Sequence, residues 1–348
     1  MIKNISVGLF TSVYFNNIGN GFIDLGAEAT LKQALPENYN LIKVSQCANF
    51  AASMSTSFSL KENPVINWLW IHTMQKFAKK LHDRSYKMIN SLNVISVPKI
   101  IKFDYLIIPG CVLTVPFFTI YGSLLQEKTA QGCKLIFLGA SGNFYTDYEA
   151  KIVSEYLKKL KPLAIITRDT VAYEKYAKYA KYDYNGIDNA FFLNLLDLPN
   201  VDTNPDNYVV VNLEEPKHRK IKTELIKKLV GQRKNIICTN HKPYPYSKVS
   251  KAVKDNIIIS DYPLDYLILY KNASKVYSDR VHACISTLSF GNEAVLYSDT
   301  PRKTLFNNVG IEKIDALPMN IQNLQELQNS QIRFLKKIFV NEQPEEHS

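Results

Sequence analysis

Val276-Tyr-Ser-Asp-Arg-Val-His-Ala-Cys-Ile-Ser-Thr-Leu-Ser-Phe-Gly291 reads as a strand running straight into a helix. Ala273–Tyr277 has strand character, and Ser278 or Asp279 can cap the helix. Val281, Ile285, Leu288 and Phe290 are its apolar positions, and Gly291 is a stop signal. Arg280 and His282 therefore fall in the first helical turn, where the helix dipole disfavours a cation by a few tenths to about 1 kcal/mol. An anion arriving at that turn offsets the cost, and strand, cap and helix in this order form a phosphate cradle.

A second copy of the arrangement lies upstream. Leu163-Ala-Ile-Ile166 runs into Thr167-Arg168-Asp169-Thr170 and a long helical stretch from Val171, so Arg168 also sits at a helix start. Two such motifs, far apart in sequence, predict two α/β units that each bring a guanidinium to a shared cleft. The competing reading pairs Arg168 with Asp169 and Arg280 with Asp279, although adjacent residues on a helix do not face each other. His282 taken alone reads as a core histidine; its place two residues after Arg280 favours the site.

With 348 residues the chain is comfortable for two domains, and with 46% hydrophobic and 21% charged residues it is globular. The formal net charge of +10 favours anionic partners: phosphorylated small molecules, acidic glycans, a membrane surface or nucleic acid. No helix-turn-helix, zinc-finger or aromatic nucleic-acid signature accompanies the charge, so no nucleic-acid partner is expected. Cys47, Cys111, Cys133, Cys238 and Cys284 are odd in number and widely spaced, which predicts reduced thiols in a cytoplasmic protein and no metal site. The N-terminal Met-Ile-Lys-Asn-Ile-Ser-Val-Gly-Leu-Phe lacks a signal-peptide pattern and reads as a first strand. Tyr105–Leu125 has no charged residue and is long enough for a membrane span, but Pro109-Gly110 and Pro116 interrupt it; strand, loop and apolar helix start account for every breaker.

Strands and helices alternate along the chain, which is the pattern of α/β units with parallel sheets. Strands are expected at Ile5–Phe10, Leu41–Val44, Tyr105–Ile108, Lys134–Leu138 and Ala164–Ile166, with a helix over Gly26–Ala34. A later set comprises Tyr208–Leu213, Asn235–Thr239, Asn256–Ile259, Lys275–Tyr277 and Ala294–Tyr297, with helices over Lys220–Val230, around Leu264–Asn272 and at Arg280 and His282. The turn-rich segment from Leu198 to Asn207 marks the expected boundary. Residues 1–198 then form an N-terminal domain, 199–320 a C-terminal domain carrying Arg280 and His282, and 321–348 a final helix with a frayed polar tail from Glu342. A basic insertion at about 61–103 contains an amphipathic stretch, Pro64–Asn90, with Trp68 and Trp70 early and Lys76, Lys79, Lys80, Arg84 and Lys87 later. Such a face suits an anionic membrane surface, or else it is simply solvated. The tyrosines from Tyr173 to Tyr182 recur every third residue, a spacing that drifts round a helix so that only part of the row packs.

Asn17-Ile-Gly-Asn-Gly21 after the first strand, Asp104 to Gly110, Thr167-Arg168-Asp169, and Ser278-Asp-Arg-Val-His-Ala283 with Gly291 occur in the order found in the polysaccharide pyruvyl transferase family, which the chain resembles. The resemblance spans about residues 5 to 312. It implies two Rossmann-like domains facing a cleft, similar to B-type glycosyltransferases. It also implies transfer of an enolpyruvyl unit from phosphoenolpyruvate to a saccharide, usually as a ketal, in cell-surface polysaccharide or capsule synthesis. Phosphoenolpyruvate is then a co-substrate and no cofactor or metal is implied. By resemblance His282 contacts the donor and is the principal catalytic residue. Arg168 and Arg280 are suited to its carboxylate and phosphate, and a histidine is a suitable proton donor to the enol methylene.

Other positions are expected to contribute backbone or charge. Asn17, Gly19, Asn20 and Gly21 form a loop open to close backbone approach, although the family commonly has Asp where Asn20 stands. Gly110 turns the chain at the donor site, and Cys111 replaces a second glycine. Ser141 lies at a strand end, Arg302 and Lys303 are placed to close over phosphate, and His241 is either catalytic or a polar loop residue. The acceptor is expected to be a saccharide, lipid-linked if the basic segment holds the protein against the inner membrane face from the cytoplasm. Two alternatives stand beside this: a nucleotide-sugar glycosyltransferase of the same fold, with Asp261 or Asp265 as its carboxylate, and a non-catalytic anion sensor or scaffold. The oligomeric state is not legible.

Overall fold

A computed structural model describes residues 5–11, 18–45, 97–203, 206–241, 257–260 and 262–342. The Pro64–Asn90 segment, most of the expected insertion, and Asn17, Cys47 and Asp261 lie outside the described residues. By contact the chain divides into two compact units. Met1–Ser12, Leu31–Asp188 and Ser330–Ser348 make the first; Val13–Thr30 and Asn189–Asn329 make the second.

The first unit is built on six parallel strands, β1 (Ile5–Thr11), β2 (Tyr39–Ser45), β3 (Tyr105–Pro109), β4 (Lys134–Ala140), β5 (Ala164–Thr167) and β6 (Tyr182–Asn185), in the order β2-β1-β3-β4-β5-β6. Its helices are the end of α1 (Ile18–Ala34), then α2 (Val115–Ala130), α3 (Asp147–Leu160) and α4 (Thr170–Tyr176). Strand β3 is buried along its whole length, as expected of a parallel strand covered on both faces. The apolar run from Tyr105 accordingly resolves into strand, turn and helix. Thr114 caps α2 by accepting from the Phe117 amide, and Pro116 sits in the first turn where its missing N–H costs nothing. Among the described residues no helix is long and apolar enough to cross a membrane. A core of Phe10, Leu106, Phe118, Leu125, Phe137 and Leu157 fills one face of this sheet.

The second unit carries β7 (Tyr208–Asn212), α5 (Arg219–Gly231), β8 (Asn235–Thr239), β9 (Ile257–Ile258), α6 (Pro263–Asn272), β10 (Lys275–Ser278), α7 (Val281–Ser289) and β11 (Glu293–Leu296). Its strands are parallel in the order β11-β10-β7-β8-β9, the Rossmann order cut short by one strand. Helix α8 (Leu324–Asn341) starts in this unit and ends in the first.

Four expectations are corrected. The boundary falls at Asp188/Asn189 rather than at 198, and residues 13–30 and 330–348 change sides, because packing partners outrank turn composition. Within the second unit Gly26 rides directly on the Asn189 carbonyl, while in the first Gln331 accepts from the Ile187 amide. The helix expected from Gly26 begins at Ile18, so Gly19, Asn20 and Gly21 form its first turn rather than a loop; a Cβ on Gly21 would stand 2.4 Å from Pro263 Cγ. The long helix expected from Val171 stops at Tyr176, and after a 3-10 turn the tyrosine-rich stretch enters the edge strand β6. Glu342 is pinned rather than frayed: Lys134, Lys181 and the Tyr182 hydroxyl all donate to its carboxylate. Residues 343–348 lie outside the described residues.

The close approach at Gly26 makes a test of the boundary. A Cβ there would lie 1.9 Å from the Asn189 carbonyl oxygen, a backbone atom that cannot swing away. Gly26→Ala should cost about 1–3 kcal/mol by overpacking, read as a lower denaturant midpoint. An unchanged midpoint would mean that α1 does not seat on residue 189.

Candidate functional site

In an open parallel sheet, ligands settle at the carboxyl ends of the strands where the strand order reverses. In the second unit that point lies between β7 and β10, since β8 and β9 continue on one side of β7 while β10 and β11 continue on the other. Ser278 pairs in register with Asn212, so the segments leaving the two strands start side by side. Asn212, Glu214 and Glu215 leave β7; Ser278, Asp279, Arg280 and His282 leave β10.

Arg280 is the N-cap residue of α7 and its side chain does not cap the helix. Ser278 and Asp279, the expected caps, do other work. Ser278 accepts from the Arg280 amide at 2.8 Å, and Asp279 turns to the neighbouring loop, where its Oδ2 accepts from the Glu214 and Glu215 amides and faces His218 Nδ1 at 3.0 Å. The first turn of α7 therefore carries no capping side chain from its N-cap residue, at the end of the helix where the dipole favours an anion. His282 lies in that turn and is buried.

The arginine found its partner elsewhere than expected. Arg280 forms an ion pair with Glu214, whose side chain is 3% exposed, while the Arg280 side chain keeps 24% exposure. A single carboxylate oxygen, Oε1, takes both the Nε and Nη2 contacts, and Oε2 accepts from the His241 amide at 2.7 Å. Glu214 thus ties the ends of β7, β8 and β10 together. Sequence reasoning missed it because nothing local marks it: it becomes visible only once β10 lies beside β7.

His241 is buried just beyond the end of β8. Its ring packs edge-on against Phe22 and Tyr266, and Nε2 meets the Tyr270 hydroxyl at 2.5 Å. That hydroxyl also accepts from Asn212 Nδ2, so its own proton points at the imidazole, and Nε2 is the accepting nitrogen. Burial, then the charges of Arg280 and His282, hold the His241 pKa well below the ordinary histidine value. The consequence has a definite sign. The unfolded chain takes up a proton near pH 6.5 that the folded one refuses, so the stability this residue contributes is full above about pH 6.5 and is lost as pH falls, at up to about 1.4 kcal/mol per pH unit. Melting temperatures of the protein and of His241→Gln, measured from pH 7.5 to 5, should show the steeper acid loss in the unsubstituted chain. Parallel curves would deny the neutral, buried imidazole.

In the first unit Arg168 is placed differently from Arg280. Its side chain is 1% exposed; Nη1 pairs with Asp188 Oδ2 at 2.5 Å and Nε donates to Ser141 Oγ at 2.9 Å. Burial is the largest single effect and opposes the charged guanidinium, but the Asp188 charge and hydrogen bond together with nearby Cys111 and Tyr145 outweigh it and hold the arginine pKa above its ordinary value. Asp169 does not pair with Arg168: it caps α4 through the Ala172 amide and accepts from the Tyr145 hydroxyl. Ser141 thus supports Arg168 with its side chain. Gly110, at φ 87, makes the turn after β3 that a residue with a Cβ would resist, and Cys111 donates to the Gly142 carbonyl.

Arg302 is exposed in a 3-10 segment, and Lys303 is engaged with Asp315 at 2.6 Å, so Lys303 is committed within its own surface loop. Asp265 accepts from the Ser260 hydroxyl. Cys111, Cys133, Cys238 and Cys284 are free thiols; burial pushes the Cys133 pKa up to about 12 and the Cys238 pKa to about 11. Among the described residues no group of three or more His, Cys, Asp or Glu is placed to hold a metal ion.

The profile of the polysaccharide pyruvyl transferase family matches residues 17–298, most of the chain. The chain belongs to that family. Its match runs from the residue before α1 to just past β11, leaving out only β1 among the described strands, and it includes every residue of the β7–β10 site. No curated protein matches the sequence. Among solved structures, this pyruvyl transferase family member is similar to S. aureus MnaA in complex with UDP, at 11% identity and a TM-score of 0.52, with 96% of this chain and 90% of that one covered. It is likewise similar to the UDP-GlcNAc 2-epimerase of Methanocaldococcus jannaschii, at 12% identity and a TM-score of 0.50, with coverage of 96% and 100%. At such identities the likeness is one of fold: a pair of Rossmann-like α/β units, similar to those of B-type glycosyltransferases.

Proposed function

We propose that the protein transfers an enolpyruvyl unit from phosphoenolpyruvate to a saccharide, closing a pyruvate ketal across two hydroxyls and releasing phosphate, in the synthesis of a cell-surface polysaccharide. The observation that carries this is the start of α7 in a chain of this family. There Arg280 and His282 stand at a helix N-terminus without a capping side chain from its N-cap residue, at the point where the strand order reverses.

The donor is small and bears a phosphate and a carboxylate. The positive end of the α7 dipole and the partly exposed Arg280 side chain suit its phosphate, the guanidinium through charge-assisted hydrogen bonds. Glu214 holds the guanidinium from one side and limits its rotamers, so less freedom is lost when an anion binds. His282, in the same turn, is the group suited to protonate the enol methylene, which makes C2 electrophilic toward a sugar hydroxyl. A phosphate dianion beside the imidazole favours its protonated form, so donor binding would itself arm the acid.

Ligand-induced thermal stabilisation tests the donor, with phosphoenolpyruvate measured beside a panel of nucleotide sugars. Phosphoenolpyruvate should stabilise the protein, and Arg280→Ala should weaken its binding by about 10- to 100-fold, equivalent to roughly 1.5–3 kcal/mol of charge-assisted bonding. Stabilisation by a nucleotide sugar and none by phosphoenolpyruvate would overturn the assignment in favour of glycosyl transfer.

A further inference from the structure

Ketal formation requires a base as well as an acid, because each sugar hydroxyl must lose its proton as it attacks. Asn20, in the first turn of α1, carries an amide side chain, which is no base. We propose that His218, oriented by Asp279, is the general base that deprotonates the attacking saccharide hydroxyl; this rests on the transfer reaction proposed above.

His218 lies in the segment between β7 and α5, the same connection that carries Glu214 and Glu215. It is the N-cap residue of α5, yet its side chain makes no cap bond. Instead Nδ1 meets Asp279 Oδ2 at 3.0 Å. Asp279 is buried and immediately precedes Arg280, so the imidazole is anchored one residue from the proposed phosphate ligand and three from His282. Two backbone amides also converge on that carboxylate oxygen, from Glu214 at 2.9 Å and Glu215 at 2.8 Å, and they fix its direction. A carboxylate only accepts, so it places the imidazole proton on Nδ1 and the basic lone pair on Nε2. Among the described residues Nε2 makes no hydrogen bond, and the side chain keeps 10% exposure. A base held in one tautomer by a buried carboxylate is the arrangement that nucleophile activation requires.

The step balances. The hydroxyl oxygen forms its bond to C2 of the enolpyruvyl unit after the methylene is protonated, while the hydroxyl proton passes to His218 Nε2 and Asp279 stabilises the imidazolium. Phosphate then leaves with the electron pair of its C–O bond, and the second hydroxyl closes the ketal. Of the two hydroxyl protons released, one is accounted for by the new methyl group and one by the departing phosphate.

The test uses the full-length chain and measures phosphate release from phosphoenolpyruvate in the presence of saccharide acceptors. His218→Gln keeps an amide donor for Asp279 and removes the base. Turnover should fall by about 100-fold or more, while stabilisation by phosphoenolpyruvate stays as in the unsubstituted protein. The acid limb of the pH–rate profile, where a base must lose its proton, should disappear. The charged group that meets the imidazole is Asp279, and the Arg280–Glu214 and Glu215–Lys217 pairs lie on the segments that flank the His218–Asp279 contact; all are retained in this variant. Should His218→Gln melt early, His218→Asn is measured in its place, and His218→Ala with added imidazole should regain part of the rate. Unchanged turnover with an unchanged acid limb would reduce His218 and Asp279 to a pin for the 214–218 loop and overturn this assignment alone. An unsubstituted protein that neither binds phosphoenolpyruvate nor releases phosphate from it would overturn the transfer reaction itself, and the base with it.

Discussion

Arg168→Ala is expected to lower the stability of the protein by about 3–5 kcal/mol, a larger effect than any it has on a ligand contact. The guanidinium and the Asp188 carboxylate are buried together, at 1% and 0% side-chain exposure, and the substitution removes the cation that compensates the buried anion. It also takes the donor from Ser141 Oγ. Removing both charges avoids the uncompensated anion, so Arg168→Met with Asp188→Leu should regain much of the loss, since well-packed apolar pairs often match a buried ion pair. Urea midpoints of the two single variants and the double variant form the required cycle. A stable Arg168→Ala protein that no longer binds phosphoenolpyruvate would instead give this arginine the donor contact that its sequence position suggests.

His282→Gln is expected to lower turnover by about 100-fold or more, with a smaller effect on donor affinity. The asymmetry comes from the division of labour at the start of α7. In the proposed transfer, Arg280 and the helix dipole would act on the phosphate in ground state and transition state alike, whereas a proton to the methylene would be needed only in the transition state. Comparing donor stabilisation with phosphate release in the same variant separates the two. Near-normal turnover in a folded His282→Gln protein would return His282 to the core, among neighbours such as Ala283, Cys284 and Ile285 that are fully buried. Melting curves must accompany the kinetics, because the helix also packs Leu288.

Much of the local structure was legible from residue patterns. The strands at Tyr208, Asn235 and Lys275 and the helices over Arg219–Gly231, Pro263–Asn272 and Val281–Ser289 lie within a residue or two of where apolar periodicity puts them. The interrupted apolar run from Tyr105 was also legible, because proline and glycine act through φ and the missing amide, and these are local effects. Where the reading failed, two local signals competed. Glycines at 19 and 21 suggested a loop ahead of a helix from Gly26, yet the helix begins at Ile18, and Gly21 and Gly26 let α1 lie close to Pro263 and Asn189. The tyrosine-rich segment offered helical spacing as far as Tyr176, yet Tyr182–Asn185 is taken into the sheet as the edge strand beside β5.

By itself the sequence determined the alternation of parallel strands and helices, and it determined that Arg280 and His282 begin a helix. Both arise from interactions within a few residues: apolar spacing, stop signals and the dipole of one helix. Only the tertiary structure decided what each charge faces. Arg280 meets Glu214 and Asp279 meets His218 because β10 pairs with β7, and Arg168 meets Asp188 because the chain returns past β5 through β6. A buried charge selects its partner by position in space, and that position is set by strand order and register, which no stretch of local sequence records.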